Sequence, residues 1–246
     1  MRHLLYAFGG TLLTTMLAIH LALVGAANAE QFSNPYQLTA QAIEMFPEDL
    51  AAAVQEELGK AIQAEPEVDI SNDESLATLF LADRFYNKLG TGQFVGAPTV
   101  TWDTYDDVKG RPTFVYAGSG FSYITSEGRR ITPGPMDTDG GSIPLPLHAI
   151  NRFSPWAYGP VFIVHDWFFV ARKCNVEPDT DFTFDDSSIL MAEAIKTLME
   201  VGFENQDGEI KKFPKNEDTL YLMYLAVSSS IARDAWDNPD TVRCRD

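Results

Sequence analysis

Positive charge is scarce in this chain of 246 residues. Its 18 lysines and arginines are outnumbered by 35 aspartates and glutamates, which gives a formal net charge of −17 at pH 7. Binding to nucleic acid needs cationic side chains that neutralise phosphates, so the composition argues against it. It also opposes attraction to anionic membrane surfaces. An acidic surplus is compatible with a site that binds a cation.

Cysteine and histidine are also rare, with two and four residues respectively. At their spacings they do not form a zinc-ligand set. The chain lacks a Gly-x-Ser-x-Gly elbow, a phosphate loop and a Cys-His nucleophile pattern, which argues against the enzyme classes built on them. In an oxidising compartment Cys174 and Cys244 are expected to form a disulfide.

Apolar runs of membrane-spanning length are missing after the first 29 residues. Arg2 precedes an apolar core from about Leu12 to Val24, and Ala27-Asn28-Ala29 fits a cleavage site for a signal peptidase. The core is too short to cross a bilayer. We therefore expect residues 1–29 to be a signal peptide and the protein to be exported, to the periplasm or the medium. No transmembrane segment is expected once the signal is removed.

The remaining pattern predicts a mainly α protein with a small antiparallel β element, an α+β fold. Residues 30–95 form a predicted N-terminal helical appendage. Pro47 stands at a helix start there, and Leu50, Val54 and Leu58 recur on one face. Residues 96–246 form the predicted main domain, in which short β-type runs are followed by helices. The β-type runs expected in this domain are 113–117, 121–124 and 130–132. The expected helices are Trp156–Arg172, Asp185 to about Gly202, and Glu217–Trp236.

The candidate site combines an acidic, glycine-rich turn with a His-Asp pair. The turn, Asp137–Ser142, precedes a very apolar helix that carries His165 and Asp166. A buried carboxylate without a partner is costly, so Asp166 needs a cation or several hydrogen-bond donors. Together with Asp139 and backbone carbonyls it would offer the hard oxygen ligands that suit calcium. The alternative for the turn is a tight turn held by Asx hydrogen bonds.

Four segments carry a resemblance to a known family. They are Ile131-Thr132-Pro133, Thr138–Pro144, Phe153–Trp156 and Val164–Phe169. In this order they resemble the bacterial and phage family called domain of unknown function 1353, over roughly residues 116–236. That family name implies no activity.

A more distant resemblance is to the prokaryotic secreted phospholipases A(2), which share the order of acidic turn, His-Asp helix and final helices. It implies a phospholipase-like helical core in which His165 is the general base. Asp139, Asp166 and the carbonyl of Gly140 would bind calcium. It also implies an aspartate in the following helix that orients the histidine, and Asp186 is the candidate catalytic residue there.

Two positions depart from the phospholipase pattern. Phe169 stands where that family has tyrosine, and Ser188 lies near the place of the orienting aspartate, so capping of the helix is an alternative role for Asp186. The sequence thus predicts an exported, calcium-dependent ester hydrolase acting on a lipid or another ester, most readily a phospholipid acyl ester. A non-catalytic binding or assembly module on the same scaffold is the alternative.

Overall fold

The computed structural model describes residue 43, residues 46–64, 74–106 and 111–140, residue 156, and residues 158–238 and 242–245. The predicted signal peptide, residues 1–29, lies outside the described residues. So does the segment 141–155, which joins the acidic turn to the His-Asp helix.

The two helices expected in the N-terminal part are present. Helix α1 is Glu48–Ala64 and helix α2 is Glu74–Lys88. In α1, Val54 and Leu58 are buried at the spacing of four that predicted this helix.

Six strands precede the His-Asp helix. They are β1 Gln93–Val95, β2 Val100–Asp106, β3 Arg111–Tyr116, β4 Ser122–Ile124, β5 Arg130–Ile131 and β6 Met136–Thr138. They form two three-stranded antiparallel sheets, one with the order β1–β4–β5 and the other with the order β2–β3–β6, where the sequence predicted a small antiparallel β element. Gly118 and Gly120 both have positive φ, and they turn the chain out of the second sheet after β3, so β4 pairs with β1.

The C-terminal half is helical. The elements are α3 Gly159–Cys174, a 3-10 helix Asp179–Asp181, α4 Phe184–Glu200, the two-stranded β7 Phe203–Glu204 and β8 Ile210–Lys211, α5 Glu217–Ser228 and α6 Ser230–Asp237. The last predicted helix is divided at Ser229. Its backbone is extended there (φ −68°, ψ 164°), and its hydroxyl accepts a hydrogen bond from the N–H of Ala232 to begin α6. The α+β class is confirmed.

The core lies between α3, α4 and α5 and includes residues of both predicted parts of the chain. Phe162 and Phe168 of α3 pack in the same core as Leu58 of α1. Lys196 of α4 donates to the carbonyl oxygens of Tyr86 and Leu89, at 2.9 and 2.8 Å, where α2 ends. The N-terminal helices are thus packed onto the rest, and the domain boundary near residue 95 stays a prediction.

The predicted disulfide between Cys174 and Cys244 is confirmed, with an S–S distance of 1.99 Å. It fastens the C-terminal tail at the end of α3. From there Arg245 reaches Asp137 of β6 at 2.5 Å and Asp103 of β2 at 3.5 Å. Among the described helices, none has both the length and the apolar character that crossing a bilayer requires.

Candidate functional site

The acidic turn and the His-Asp helix meet through a hydrogen bond between Thr138 and Asp166. The hydroxyl of Thr138, at the end of β6, donates to Oδ2 of Asp166 on α3 over 2.7 Å. The side chain of Asp166 is 24% exposed, and Thr138 is 4% exposed. The end of β6 and the His-Asp helix therefore lie side by side, with Thr138 in contact with Asp166.

The alternation of β6 explains why Thr138 faces the helix. Met136 and Thr138 are buried, whereas Asp137 between them is only half-buried and is paired with Arg245. Gly140 then reverses the chain with a φ of +82°, a conformation that side chains disfavour. Its N–H donates to the Thr138 hydroxyl oxygen at 3.3 Å, which helps to hold that oxygen in place.

Gly140 is covered by the indole of Trp156. A methyl group in place of the glycine hydrogen would lie 2.7 Å from the ring, so only glycine fits there without displacing the indole. The carbonyl of Gly140, which the phospholipase resemblance implies as a calcium ligand, accepts a long hydrogen bond of 3.4 Å from the N–H of Trp156. Asp139, the other implied ligand of the turn, is half-buried.

His165 lies beside Asp166 in a largely apolar environment, with only 13% of its side chain exposed. Its Nδ1 is 4.0 Å from Oδ1 of Asp166, beyond hydrogen-bond distance, and its ring meets the edge of Phe169 with 5.4 Å between centroids. Burial lowers the pKa of His165 from 6.5 to about 4. The imidazole is therefore neutral at pH 7, and its lowered pKa makes it a weaker base than an exposed histidine.

The residues of α4 that were considered as partners of His165 have structural roles. Asp186 accepts hydrogen bonds from the N–H and hydroxyl of Thr183, whose hydroxyl in turn accepts from the N–H of Asp186. This is a capping box at the start of α4, the alternative that the sequence left open. The hydroxyl of Ser188 is directed to the carbonyl oxygens of Phe184 and Val227. The segment 141–155 contains no aspartate or glutamate that could orient the imidazole.

The described residues do not form a metal-binding cluster by themselves. Within them, no group of three or more histidine, cysteine, aspartate or glutamate side chains is arranged to hold a metal ion. The predicted calcium ligands contribute two carboxylates and one carbonyl, whereas calcium takes about six to eight oxygen ligands. Further ligands would have to be water, substrate or residues outside the described part.

A second polar cluster, which the sequence did not predict, fixes the other side of α3. The indole N–H of Trp167 donates to Asp179 over 2.8 Å, and Asp179 is only 4% exposed. Arg129 contacts Asp179 at 3.3 Å and Asp181 at 2.6 Å. Arg129 is 50 and 52 residues from Asp179 and Asp181 along the chain, and none of the three belongs to a motif, so the sequence offers no signal for their pairing.

Comparisons with models of known protein families, with curated proteins and with solved structures gave no match. Any function therefore has to be argued from the chemistry of this chain.

Proposed function

We propose that the protein is an exported ester hydrolase in which His165 is the general base. The observation that supports this most directly is the hydrogen bond from Thr138 to Asp166 beside a neutral, largely buried imidazole. This hydrogen bond lies where β6 meets α3, next to a proton acceptor, His165, and a tight backbone turn at Gly140. Such a grouping is suited to the activation of water next to a polarised carbonyl.

In the proposed reaction, His165 removes a proton from water while the water oxygen attacks the ester carbonyl carbon. The tetrahedral intermediate then collapses, the bond to the alcohol oxygen breaks, and the imidazolium returns its proton to the departing alkoxide. Asp166 lies close enough to stabilise the transient imidazolium, with 4.0 Å between Oδ1 and Nδ1. The negative charge that develops on the carbonyl oxygen requires a separate positive group.

Calcium is the proposed source of that positive charge. Asp139, Asp166 and the carbonyl of Gly140 would hold it, and when bound it would polarise the ester carbonyl. Asp166 can do this while it keeps the Thr138 hydrogen bond, because a carboxylate has two oxygens and about four acceptor positions.

The direct test is release of fatty acid from phosphatidylcholine vesicles, measured with calcium and with a chelator. We expect activity that requires calcium and falls at least about 100-fold in His165→Gln, because a general base contributes a factor of this order. Asp166→Asn should also lose most of the calcium-dependent activity, because the proposal makes Asp166 a calcium ligand. Asp207→Asn is its matched control, since Asp207 lies on the exposed turn between β7 and β8. An inactive wild type, or equal activity in wild type and His165→Gln, contradicts the proposal.

Thr138 provides a test of the geometry itself. Thr138→Val removes the hydroxyl with little change in shape, whereas Thr138→Ser retains it. If the hydrogen bond positions Asp166, the valine variant should bind calcium more weakly and the serine variant should resemble the wild type. Equal calcium affinity in all three proteins, measured by calorimetry, would remove Thr138 from the site.

A non-catalytic binding module is the second candidate. It is favoured because, among the described residues, no hydrogen bond is seen from the His165 ring to a carboxylate, and because Asp186 has a capping role. Without such an acceptor the tautomer of the imidazole is less well fixed, and the base is weaker. This candidate predicts calcium binding that is lost in Asp166→Ala, without hydrolysis of any ester by the wild type.

A further inference from the structure

Three side chains form a row across the sheet β2–β3–β6 and end at the candidate site. Trp102 of β2 is directly opposite Phe114 of β3, and Phe114 is directly opposite Thr138 of β6. Residues opposite each other in an antiparallel sheet project from the same face. The rings of Trp102 and Phe114 meet edge to face with centroids 5.5 Å apart. Thr138 then continues the row to Asp166 through its hydrogen bond.

Trp156 adds a fourth member to this row from outside the sheet. Its ring lies edge to face on Phe114 with 4.9 Å between centroids and also covers Gly140. Its φ is +71°, a conformation that is uncommon for a bulky residue. Such backbone conformations persist where the surroundings fix a side chain in one position.

The row has one end in solvent and one end at His165 and Asp166. Trp102 is 61% exposed and lies on an edge strand, which is unusual for so large an apolar side chain. Phe114 and Trp156 are half-buried, and Thr138 is buried. A linear apolar ligand could therefore lie along the rings with its polar end at the imidazole.

We propose that Trp102, Phe114 and Trp156 bind the acyl chain of the ester that His165 hydrolyses, and that the rest of the ester is neutral or zwitterionic. The inference rests on the proposed function and specifies its substrate class. The charge of the chain as a whole bears on the head group. The formal net charge is −17, so an anionic ligand would be repelled.

The first experiment compares uncharged esters of short and long acyl chain in wild type, Trp102→Ala and Trp102→Phe. Ile210→Ala is the matched control, because Ile210 is 60% exposed on β8, outside this sheet. We expect Trp102→Ala to raise KM for the long ester about tenfold with kcat unchanged, since contact with several methylene groups is lost. The short ester should be unaffected, and Trp102→Phe should retain most of the affinity. An equal effect on both esters, or an equal effect in Ile210→Ala, would overturn the proposal.

The second experiment needs no turnover and uses intrinsic fluorescence with phosphatidylcholine vesicles. Two of the four tryptophans, Trp167 and Trp236, are each 4% exposed, so a shift of the emission to shorter wavelength would report mainly on Trp102 and Trp156. We expect a shift in the wild type that is much smaller in Trp102→Phe. If no ester is hydrolysed but this shift is found, the catalytic proposal fails while acyl binding stands.

Two further outcomes would contradict acyl binding. One is a wild-type emission spectrum that does not change on addition of vesicles. The other is a concentration-dependent dimer, detected by light scattering, that dissociates in Trp102→Ala, because the row would then be covered by a second copy of the chain.

Discussion

The burial of His165 makes a quantitative prediction about stability and pH. Burial lowers the pKa of His165 from 6.5 to about 4, so the unfolded chain binds a proton at this position more readily than the folded protein. Protonation therefore favours unfolding. The contribution of a neutral His165 is complete above about pH 6.5 and is lost as the pH falls towards 4.

The size of the effect follows from the two pKa values. A difference of about 2.5 pH units corresponds to roughly 3 kcal/mol when it is fully expressed, and to about 2 to 3 kcal/mol at pH 4.5. Carboxylates titrate in the same range, so the wild type alone cannot isolate this contribution. His165→Phe removes the titrating group and keeps an apolar ring beside Phe169, which contacts the native imidazole edge to face.

The assay is urea denaturation of wild type and His165→Phe at several pH values between 7.5 and 4.5. We expect the free energy of unfolding of the wild type to fall by about 2 to 3 kcal/mol more than that of the variant over this range. Parallel curves would show that burial does not lower the pKa of His165, and the reasoning from its environment would fail.

Three further predictions concern the scaffold. Glu193→Ala should destabilise by about 3 kcal/mol, because the buried carboxylate accepts hydrogen bonds from the hydroxyl of Tyr123 at 2.7 Å and from the N–H of Ser126 at 3.0 Å. The more exposed Glu200 is the control, and Glu200→Ala should cost under about 1 kcal/mol in the same denaturation assay. Gly140→Ala should displace the indole of Trp156 and lower the melting temperature by more than Gly120→Ala does. Gly120 has a similar positive φ, but the space around it is open. Near-ultraviolet circular dichroism detects the displaced indole, and thermal denaturation gives the two melting temperatures. The disulfide joins cysteines that are 70 residues apart in the sequence, so it restricts the unfolded chain. Its reduction should lower the free energy of unfolding by about 2 to 4 kcal/mol, which denaturation with and without reductant measures.

Local signals in the sequence were sufficient to find the helices, although not the division of the last one at Ser229. In α1 the spacing of Val54 and Leu58 predicted the buried face correctly. The very apolar α3 is also helical, and its Phe162 and Phe168 are buried. Each of these inferences depends on the apolar residues within one segment, which tertiary contacts reinforce and do not override.

Pairing of the strands was not predictable in the same way. Strand β1 has only three residues, Gln93–Val95, too few to show an alternating pattern. The division into two sheets depends on Gly118 and Gly120, whose positive φ carries the chain from one sheet to the other. Glycine indicates a turn in the sequence, but it does not indicate which strands pair after the turn.

The candidate site shows the same limit at the level of single side chains. The sequence predicted that Asp139 of the acidic turn and Asp166 of the His-Asp helix bind one calcium ion, and this stays a prediction. The contact described between the turn and the helix is made by Thr138, which β6 presents to Asp166, while Asp137 is directed to Arg245. A shift of one residue along a strand exchanges the two faces, so the identity of the contacting residue depends on where β6 begins.

That exchange bears on the chemistry of the site. A carboxylate opposite Asp166 would bring two like charges together, which a shared proton or a cation would have to relieve. The hydroxyl of Thr138 instead donates a hydrogen bond to Oδ2 of Asp166. If this bond positions the carboxylate for calcium, Thr138→Val should weaken calcium binding while Thr138→Ser should not. These two variants leave every carboxylate in place, so they test the geometry of the site separately from its charge.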